Sequence, residues 1–293
     1  MILILFACLQ LVVQATVQEE TCMHSHYLEL SRPEHAYLFG FIQSDGHLSL
    51  DTRHPHKGKL QIELSARDSE LLAKIQEIIP VKTTITSRVR VTNFSKGEMV
   101  QTFTLLAYDM KFRQELEFLG VPRGKKSKEI APPLSNFSEG DYYRGIIDGD
   151  GSLGLTSKNY PFVSLVTASD PLKEGYLGFI KKVTGEDLQV TRNKRDGVYN
   201  IMVTREASQT LTKALYYEGC ISLDRKKNKA EDVLRWERPM YTPKISYTRK
   251  RWTREEDAVV MKFSPEESSL KLNRTLKSVS TRKWRLEGSI PCV

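Results

Sequence analysis

Cysteine is scarce in this 293-residue chain: Cys8, Cys22, Cys220 and Cys292 are scattered and form no Cys-x-x-Cys pair. That pattern excludes a zinc ribbon and a disulfide framework. Histidine is absent beyond His56, and all six fall between His24 and His56, including His24-Ser-His26 and His54-Pro-His56. Without partnering cysteines or a helical i, i+4 spacing, the cluster lacks the form of a metal site. Long apolar runs are missing too. The run Ile2–Val13 is shorter than the roughly 20 residues that cross a bilayer. It also lacks the basic residues that precede a signal's apolar core, although Val13-Gln14-Ala15 resembles a cleavage site. It reads as a dispensable extension, with Met23 as an alternative start. Asn-x-Ser/Thr triplets at Asn93, Asn136 and Asn273 would suit a secreted glycoprotein. The basic C-terminus argues against export.

What is present is positive charge, placed unevenly. Of the net +8, the segment Met240–Val293 carries +6 (12 Lys/Arg against 6 Asp/Glu), which leaves +2 for the first 239 residues. A basic tail on a near-neutral body points to an anionic partner, nucleic acid first and an anionic membrane surface second. The length allows two or three compact units, each able to bury a core.

Two stretches repeat. Ala36–Leu50 and Asp141–Leu155, 105 residues apart, agree at seven of fifteen positions: Tyr37/Tyr142, Gly40/Gly145, Ile42/Ile147, Asp45/Asp150, Gly46/Gly151, Leu48/Leu153 and Leu50/Leu155. The spacing is one small domain's length rather than a solenoid period. Gly40 and Gly145 sit mid-helix, where glycine costs about 0.8–1.0 kcal/mol relative to alanine, a cost tolerated where two backbones approach closely. Packed together, the two helices would end side by side, capped by Gly46 and Gly151. Asp45 and Asp150 would then nearly meet. Two carboxylates at adjacent helix C-termini repel each other and the local dipoles, so a cation belongs between them. A divalent metal is the simplest occupant, and an oxygen donor set suits Mg²⁺.

The remaining pattern repeats as well. After the first Asp-Gly, His47–Asp51 and Lys59–Ser65 read as strands, Asp68–Ile79 as a helix stopped by Pro80, and Thr83–Thr92 with Met99–Ala107 as a strand pair. Asp109–Leu119 is a helix closed by Gly120. In the second copy Leu153–Thr156 and Phe162–Thr167 are strands, and a helix runs from Asp170-Pro171 to about Val183. Asp187–Asn193 and Val198–Thr204 read as a hairpin turned by Arg195-Asp196-Gly197, followed by helices over Glu206–Tyr217 and near Lys227–Arg238. The fold class is α+β: two pseudo-symmetric αββαββα halves, each with a four-stranded antiparallel sheet, packed through the repeated helices.

Over Arg32–Arg238 the chain resembles a single-chain, two-motif LAGLIDADG homing endonuclease. The resemblance implies that the motif helices form the interface between halves and that the sheets make a saddle over double-stranded DNA. It implies that Asp45 and Asp150 bind the catalytic metal, Mg²⁺ or Mn²⁺, with backbone carbonyls from Ser44 and Gly149. Gln43 departs from the earlier acidic position of the motif, which Asp148 keeps; that position is not the metal ligand. A lysine after each half's last helix is implied near the scissile phosphate. Lys126 and Lys226 fit by their Lys-Ser and Arg-Lys settings, whereas internal alignment pairs Lys126 with Lys227. Arg88 and Arg90 on one alternating strand, and Arg192, Lys194 and Arg195 on its counterpart, are the candidate DNA contacts of the body.

The tail resembles a Myb/SANT-like helix-turn-helix over Lys250–Leu286. Thr253 and Glu256 form a capping box, the middle helix lies near Ser264–Leu272, and Trp252 and Trp284 take the family's core positions. In the last helix Leu276, Val279, Lys283 and Leu286 oppose a stripe of Arg274, Lys277, Ser278, Thr281, Arg282 and Arg285, the form of a recognition helix. The organisation is therefore 1–31 extension, 32–138 first half, 139–238 second half, 239–249 linker and 250–288 helix-turn-helix. The expected function is site-specific cleavage of duplex DNA by an intracellular monomer, with no membrane partner, encoded by a mobile genetic element such as a homing intron. The alternative is a non-catalytic nucleic-acid binder, either a transcription factor or a maturase bound to its host intron RNA. No protein-splicing junctions flank the repeat, so an intein is not indicated.

Overall fold

The computed structural model describes residues 27–49, 54, 57–91, 99–239 and 251–288, except the side chains of Arg90 and Val91. The apolar start, Met23, Cys8, Cys22, Cys292, His24, His26, His56, Asn93 and most of the linker lie outside the described residues. Cys220, the described cysteine, forms no disulfide. The chain divides into two units, Met1–Arg238 and Pro239–Val293.

The first unit begins with α1 (Pro33–Asp45), β1 (Gly46–Leu48), β2 (Leu60–Ser65), a 3-10 turn (Ala66–Asp68), α2 (Glu70–Ile78), β3 (Thr83–Val91), β4 (Met99–Ala107) and α3 (Met110–Phe118). It continues with α4 (Glu139–Asp150), β5 (Gly151–Leu155), β6 (Pro161–Thr167), α5 (Asp170–Thr184), β7 (Tyr199–Thr204), α6 (Arg205–Leu215) and α7 (Asp224–Arg235). Local chemistry sets the ends. Asp109 accepts from Phe112 N at 2.8 Å to start α3. Ser169 accepts from Leu172 N at the head of α5, and left-handed Gly185 closes that helix.

Both sheets are antiparallel, in the orders β1-β2-β4-β3 and β5-β6-β7. Period-two alternation separates their faces. On β2, Leu60, Ile62 and Leu64 are buried, while Gln61, Glu63 and Ser65 face outward. On β7, Tyr199, Ile201 and Val203 point inward and Asn200, Met202 and Thr204 outward.

The second sheet has three strands among the described residues, not four. Asp187–Asn193, expected as a strand, is irregular, so this half is αββαβα. Side-chain bonds brace the turn that follows this segment. Asn193 Oδ1 accepts from Arg195 N at 3.0 Å, an Asx-turn, and the Arg192 guanidinium donates to Ala168 O and Gly197 O. One backbone bond, Asn193 N to Val198 O, spans the loop. The helix expected near Lys227–Arg238 starts three residues earlier, at Asp224.

The halves meet along α1 and α4, and α1 is buried continuously from His35 to Gln43, as a helix without a polar face must be. Glycine sets their separation. A Cβ on Gly40 would stand 2.2 Å from Tyr142 O, and one on Gly145 2.3 Å from Tyr37 O and 2.7 Å from Phe41 N. These neighbours are backbone atoms that no rotamer change can move.

The second unit is a three-helix arrangement: α8 (Arg254–Lys262), α9 (Pro265–Leu272) and α10 (Leu276–Glu287). Capping boxes start α8 (Thr253 with Glu256) and α9 (Ser264 with Glu267). Val260 and Val279 are fully buried. Trp284, expected in this core, is 72% exposed. It lies five residues beyond Val279, about 140° round the helix at 3.6 residues per turn, so it faces away. The described residues include no helix long and apolar enough to cross a membrane.

A matched pair of substitutions tests the helix contact. Gly145→Ala is expected to destabilise the chain by about 1–3 kcal/mol through overpacking. Gly178→Ala, on exposed α5 with nothing within 4 Å of its new methyl, should stabilise it by up to about 1 kcal/mol. Urea denaturation of both variants would show the opposite signs; equal shifts would mean that the helices are not in backbone contact.

Candidate active site

α1 and α4 end side by side, and each runs straight into a strand. Gly46 and Gly151 stand at the helix ends but are extended (φ −75° and −93°), not left-handed caps. They are needed because a Cβ would lie 2.6 Å from Ile42 O or 2.8 Å from Ile147 O. Ser44 and Gly149 touch across the interface: a Cβ on Gly149 would fall 2.0 Å from Ser44 Oγ and 3.4 Å from the Asp45 carboxyl carbon. Asp45 is thus held one residue away from Asp150, and solvent reaches both.

A lysine sits under each helix end. Lys126 Nζ donates to Ile42 O (2.7 Å) and to Gly46 O. Lys226 Nζ donates to Ile147 O, Asp148 O and Gly151 O at 2.5, 2.6 and 2.9 Å. Ile42/Ile147 and Gly46/Gly151 are paired positions of the repeat, so Lys226 is the structural counterpart of Lys126. Lys227 is not: it lies one position on in α7, about 100° round the helix.

These four groups share one field. Burial first, then the charge of Asp150, push the Asp45 carboxyl up to about 6, against the pull of Lys226, Lys126 and Arg225. Burial also raises Asp150, opposed by Lys126 and Lys226. Burial depresses both ammoniums to about 8, opposed for Lys126 by Asp150 and Asp45 and for Lys226 first by Asp148. Lys126 and Asp150 also line a cleft of about 230 Å³ with Gln43, Ser44, Val166 and Val198. Among the described residues no group of three or more His, Cys, Asp or Glu side chains gathers.

Beneath the aspartates lies a polar layer that no local pattern announces. Tyr142 Oη donates to Gln43 Oε1 (2.6 Å) and Tyr37 Oη to Asp148 Oδ2 (2.9 Å), one bond in each direction across the interface. The two acceptors differ because their other neighbours differ. Gln43 Nε2 donates to the carbonyls of Gly120 and Ala131 at 3.2 and 2.9 Å. Asp148 instead accepts from Leu223 N and Tyr216 Oη at 2.8 and 2.7 Å. Carbonyls require a donor, hence the amide; an N–H and two hydroxyls require an acceptor, hence the carboxylate. Burial raises the Asp148 carboxyl, and these hydrogen bonds oppose it. Arg144, almost fully buried, pairs with Asp141 (2.6 Å) and donates to Ile221 O and Leu215 O. The identical Tyr37 and Tyr142 were the one sequence signal for this layer.

The expected DNA contacts are placed unevenly. Arg88 lies exposed on the outer face of the first sheet, paired with Glu63 at 2.9 Å; the Arg90 side chain lies outside the described set. Lys194 and Arg195 are exposed in a turn, whereas Arg192 is tied to Asp170 at 2.6 Å and lies over the Tyr199 ring. In the second unit Lys277, Ser278, Thr281 and Arg282 line one groove of about 340 Å³ with Trp252. Arg282 is itself held by two bonds to Asp257 at 2.7 Å. Arg274 does not line the groove. It pairs with Glu256, donates to Arg251 O and stacks 4.0 Å above Trp252, so it holds the unit together rather than facing a partner.

No protein-family model matches the chain, and no curated protein does. Several solved structures do. The homing endonuclease I-WcaI, bound to its DNA recognition sequence, is 16% identical over 69% of this chain and 88% of its own, with a TM-score of 0.46. Mesophilic variants of the homing endonuclease I-DmoI give 13% identity, 69% and 99% coverage, and 0.47. The LAGLIDADG homing endonuclease I-GzeII, in complex with its DNA target, gives 13%, 68% and 87%, and 0.39.

Two outcomes follow from the buried charges. Gln43→Glu would set a carboxylate against Gly120 O and Ala131 O, and is expected to cost at least about 1–3 kcal/mol in urea denaturation, whereas Gln61→Glu on the outer face should cost little. The folded chain keeps the Asp45 proton to about pH 6 against an ordinary 3.8. It therefore binds more proton than the unfolded chain in that window, and stability should fall as pH rises through it. Melting temperatures in chelator from pH 4 to 7 should show this decline in the wild type and a shallower one in Asp45→Asn; parallel curves would refute the raised carboxyl.

Proposed function

We propose that the chain is a two-motif LAGLIDADG homing endonuclease that hydrolyses phosphodiester bonds at a specific site in double-stranded DNA. The observation that carries this reading is the pair Asp45 and Asp150, set on adjacent helix ends over the buried Lys226 and the half-buried Lys126. One chain supplies both carboxylates, so a monomer suffices.

The residues fit a divalent metal. The donors available at the two helix ends, the Asp45 and Asp150 carboxylates and nearby backbone carbonyls, are oxygens, the hard set that suits Mg²⁺ or Mn²⁺. Asp45 and Asp150 would hold it, with carbonyls from Ser44 and Gly149. When bound, such an ion polarises a phosphoryl oxygen and acidifies water. The chain's own part is to orient and neutralise. Lys226 has all three of its protons on carbonyls, so it acts as fixed charge and as a clamp on the end of α4. Lys126 uses two and keeps one N–H for the cleft. That makes Lys126 the group that meets the phosphate and offsets charge developing there.

A non-catalytic binder, either a transcription factor or a maturase holding intron RNA, is the second reading. Gln43 in place of an acid would favour it if that position served the reaction. Its hydrogen bonds to Gly120 O and Ala131 O give it a packing role instead. The second unit would add grip through Lys277, Ser278 and Thr281, which share one groove, with Arg282 held beside them by Asp257.

Asp45→Asn or Asp150→Asn is expected to lower cleavage by at least about 10²-fold while leaving duplex binding in place. Lys126→Met should do the same and Lys227→Met should not, as nicking time courses would show; full activity of the double aspartate variant would sink the catalytic reading. Truncation after Arg238 should leave a folded nuclease with weaker binding. Each lost phosphate contact should lower the log–log salt slope by about 0.9. Identical slopes for full-length and truncated protein would assign the tail to a protein partner.

A further inference from the structure

The outer faces of the two sheets differ in chemistry. The first presents hydrogen-bonding and charged groups, among them Gln61, Glu63, Thr86 and Arg88, in rows fixed by the pairings Glu63↔Thr104 and Thr86↔Thr104. The second carries no charged side chain on its strands. Its rows are Ser152–Ser164–Met202, Gly154–Phe162–Thr204 and Val166–Asn200. Val166 and Met202 are 45% and 46% exposed, although the opposite face of the same strands is packed into the core.

This uncharged face, on which the exposed apolar side chains are Val166 and Met202, is continuous with the aspartate site, since Val166 lines the cleft that holds Asp150 and Lys126. A duplex seated on the carboxylates would therefore lie against it. In the major groove guanine and cytosine present only donors and acceptors, which Val166 and Met202 would desolvate without replacing. Thymine alone presents a methyl group, and asparagine is the side chain that bonds adenine in two places. Asn200 is exposed directly beside Val166. On the premise that the chain binds duplex DNA, we infer that its second half reads an A·T-rich half-site. Val166 and Met202 meet thymine methyls there, and Asn200 meets adenine.

The test is a selection of bound sequences from a random duplex library by the full chain, followed by uracil substitution in the enriched duplex. Uracil pairs as thymine does but lacks the C5 methyl. The expected result is an A·T-rich block on one side of the cleavage centre. Uracil in that block should weaken binding about fourfold for each contacted methyl, the worth of one buried methylene, and uracil in the other half should not. The double variant Val166→Ser, Met202→Ser should bind the thymine and uracil duplexes alike. An enriched sequence without such a block, or one indifferent to uracil, would overturn the inference while leaving DNA binding intact. Failure to enrich any sequence would overturn both. A dimer in sedimentation that the double variant dissociates would assign the face to a second copy of the chain and refute the DNA assignment.

Discussion

Backbone against backbone, Gly40 on Tyr142 and Gly145 on Tyr37, is the contact on which the rest of the first unit depends. No side chain separates α1 from α4 at that point, so the two helices can end only next to each other. Ser44 and Gly149 then touch, and the residues that follow them, Asp45 and Asp150, stand at neighbouring helix ends. The strands that continue from Gly46 and Gly151 leave in the same way from both helices, which puts a sheet on either side of one site. A separation larger by one methyl would loosen the site and the spacing of both sheets together.

Bringing two carboxylates to adjacent helix C-termini is unfavourable by itself, because each faces the negative end of a helix dipole as well as the other acid. The fold offsets this from below. Lys126 and Lys226 neutralise the terminal carbonyls that the dipoles would otherwise aim at the aspartates, and burial depresses both ammoniums to about 8 without stripping their charge near neutrality. The polar layer beneath is as constrained. Asp148 accepts from Leu223 N at the head of α7, and three residues further on α7 supplies Lys226. Asp148 thus acts on the helix end through the lysine it helps to place, which explains how a carboxylate so near Asp150 can have a structural role.

Much of this was legible in the residues. The repeat, its glycines and its aspartates depend on local identity, and the helix contact followed from asking why glycine stands mid-helix twice. Strand alternation and capping boxes are also local, and those elements appeared within a few residues of their expected bounds. What was not legible depends on partners distant in sequence. The choice between Lys226 and Lys227 turned on carbonyls some eighty residues earlier in the chain. The strand expected at Asp187–Asn193 did not form, and Arg192, whose side chain could be read as a DNA contact, is claimed by Asp170 and two carbonyls. Arg274 misled for the same reason: a basic stripe on a helical wheel does not show that one member faces Glu256 and Trp252.

The duplication therefore fixes a frame and leaves the two halves free to differ on it. Where the frame itself is concerned, at the glycines, the aspartates, the tyrosines and the capping lysines, the halves match residue for residue. Away from it they diverge as their surroundings require: amide against carboxylate at Gln43 and Asp148, four strands against three, a charged outer face against an uncharged one. A symmetric centre can place equal chemistry on two strands of a duplex, while unlike faces can each meet a different sequence. A single chain gains this over a pair of identical ones, since mutations in one half leave the other's surface unchanged as long as α1 and α4 keep their contact. The constraint on variation is consequently concentrated in a few positions along two helices, and the sheets are the part of the molecule able to change.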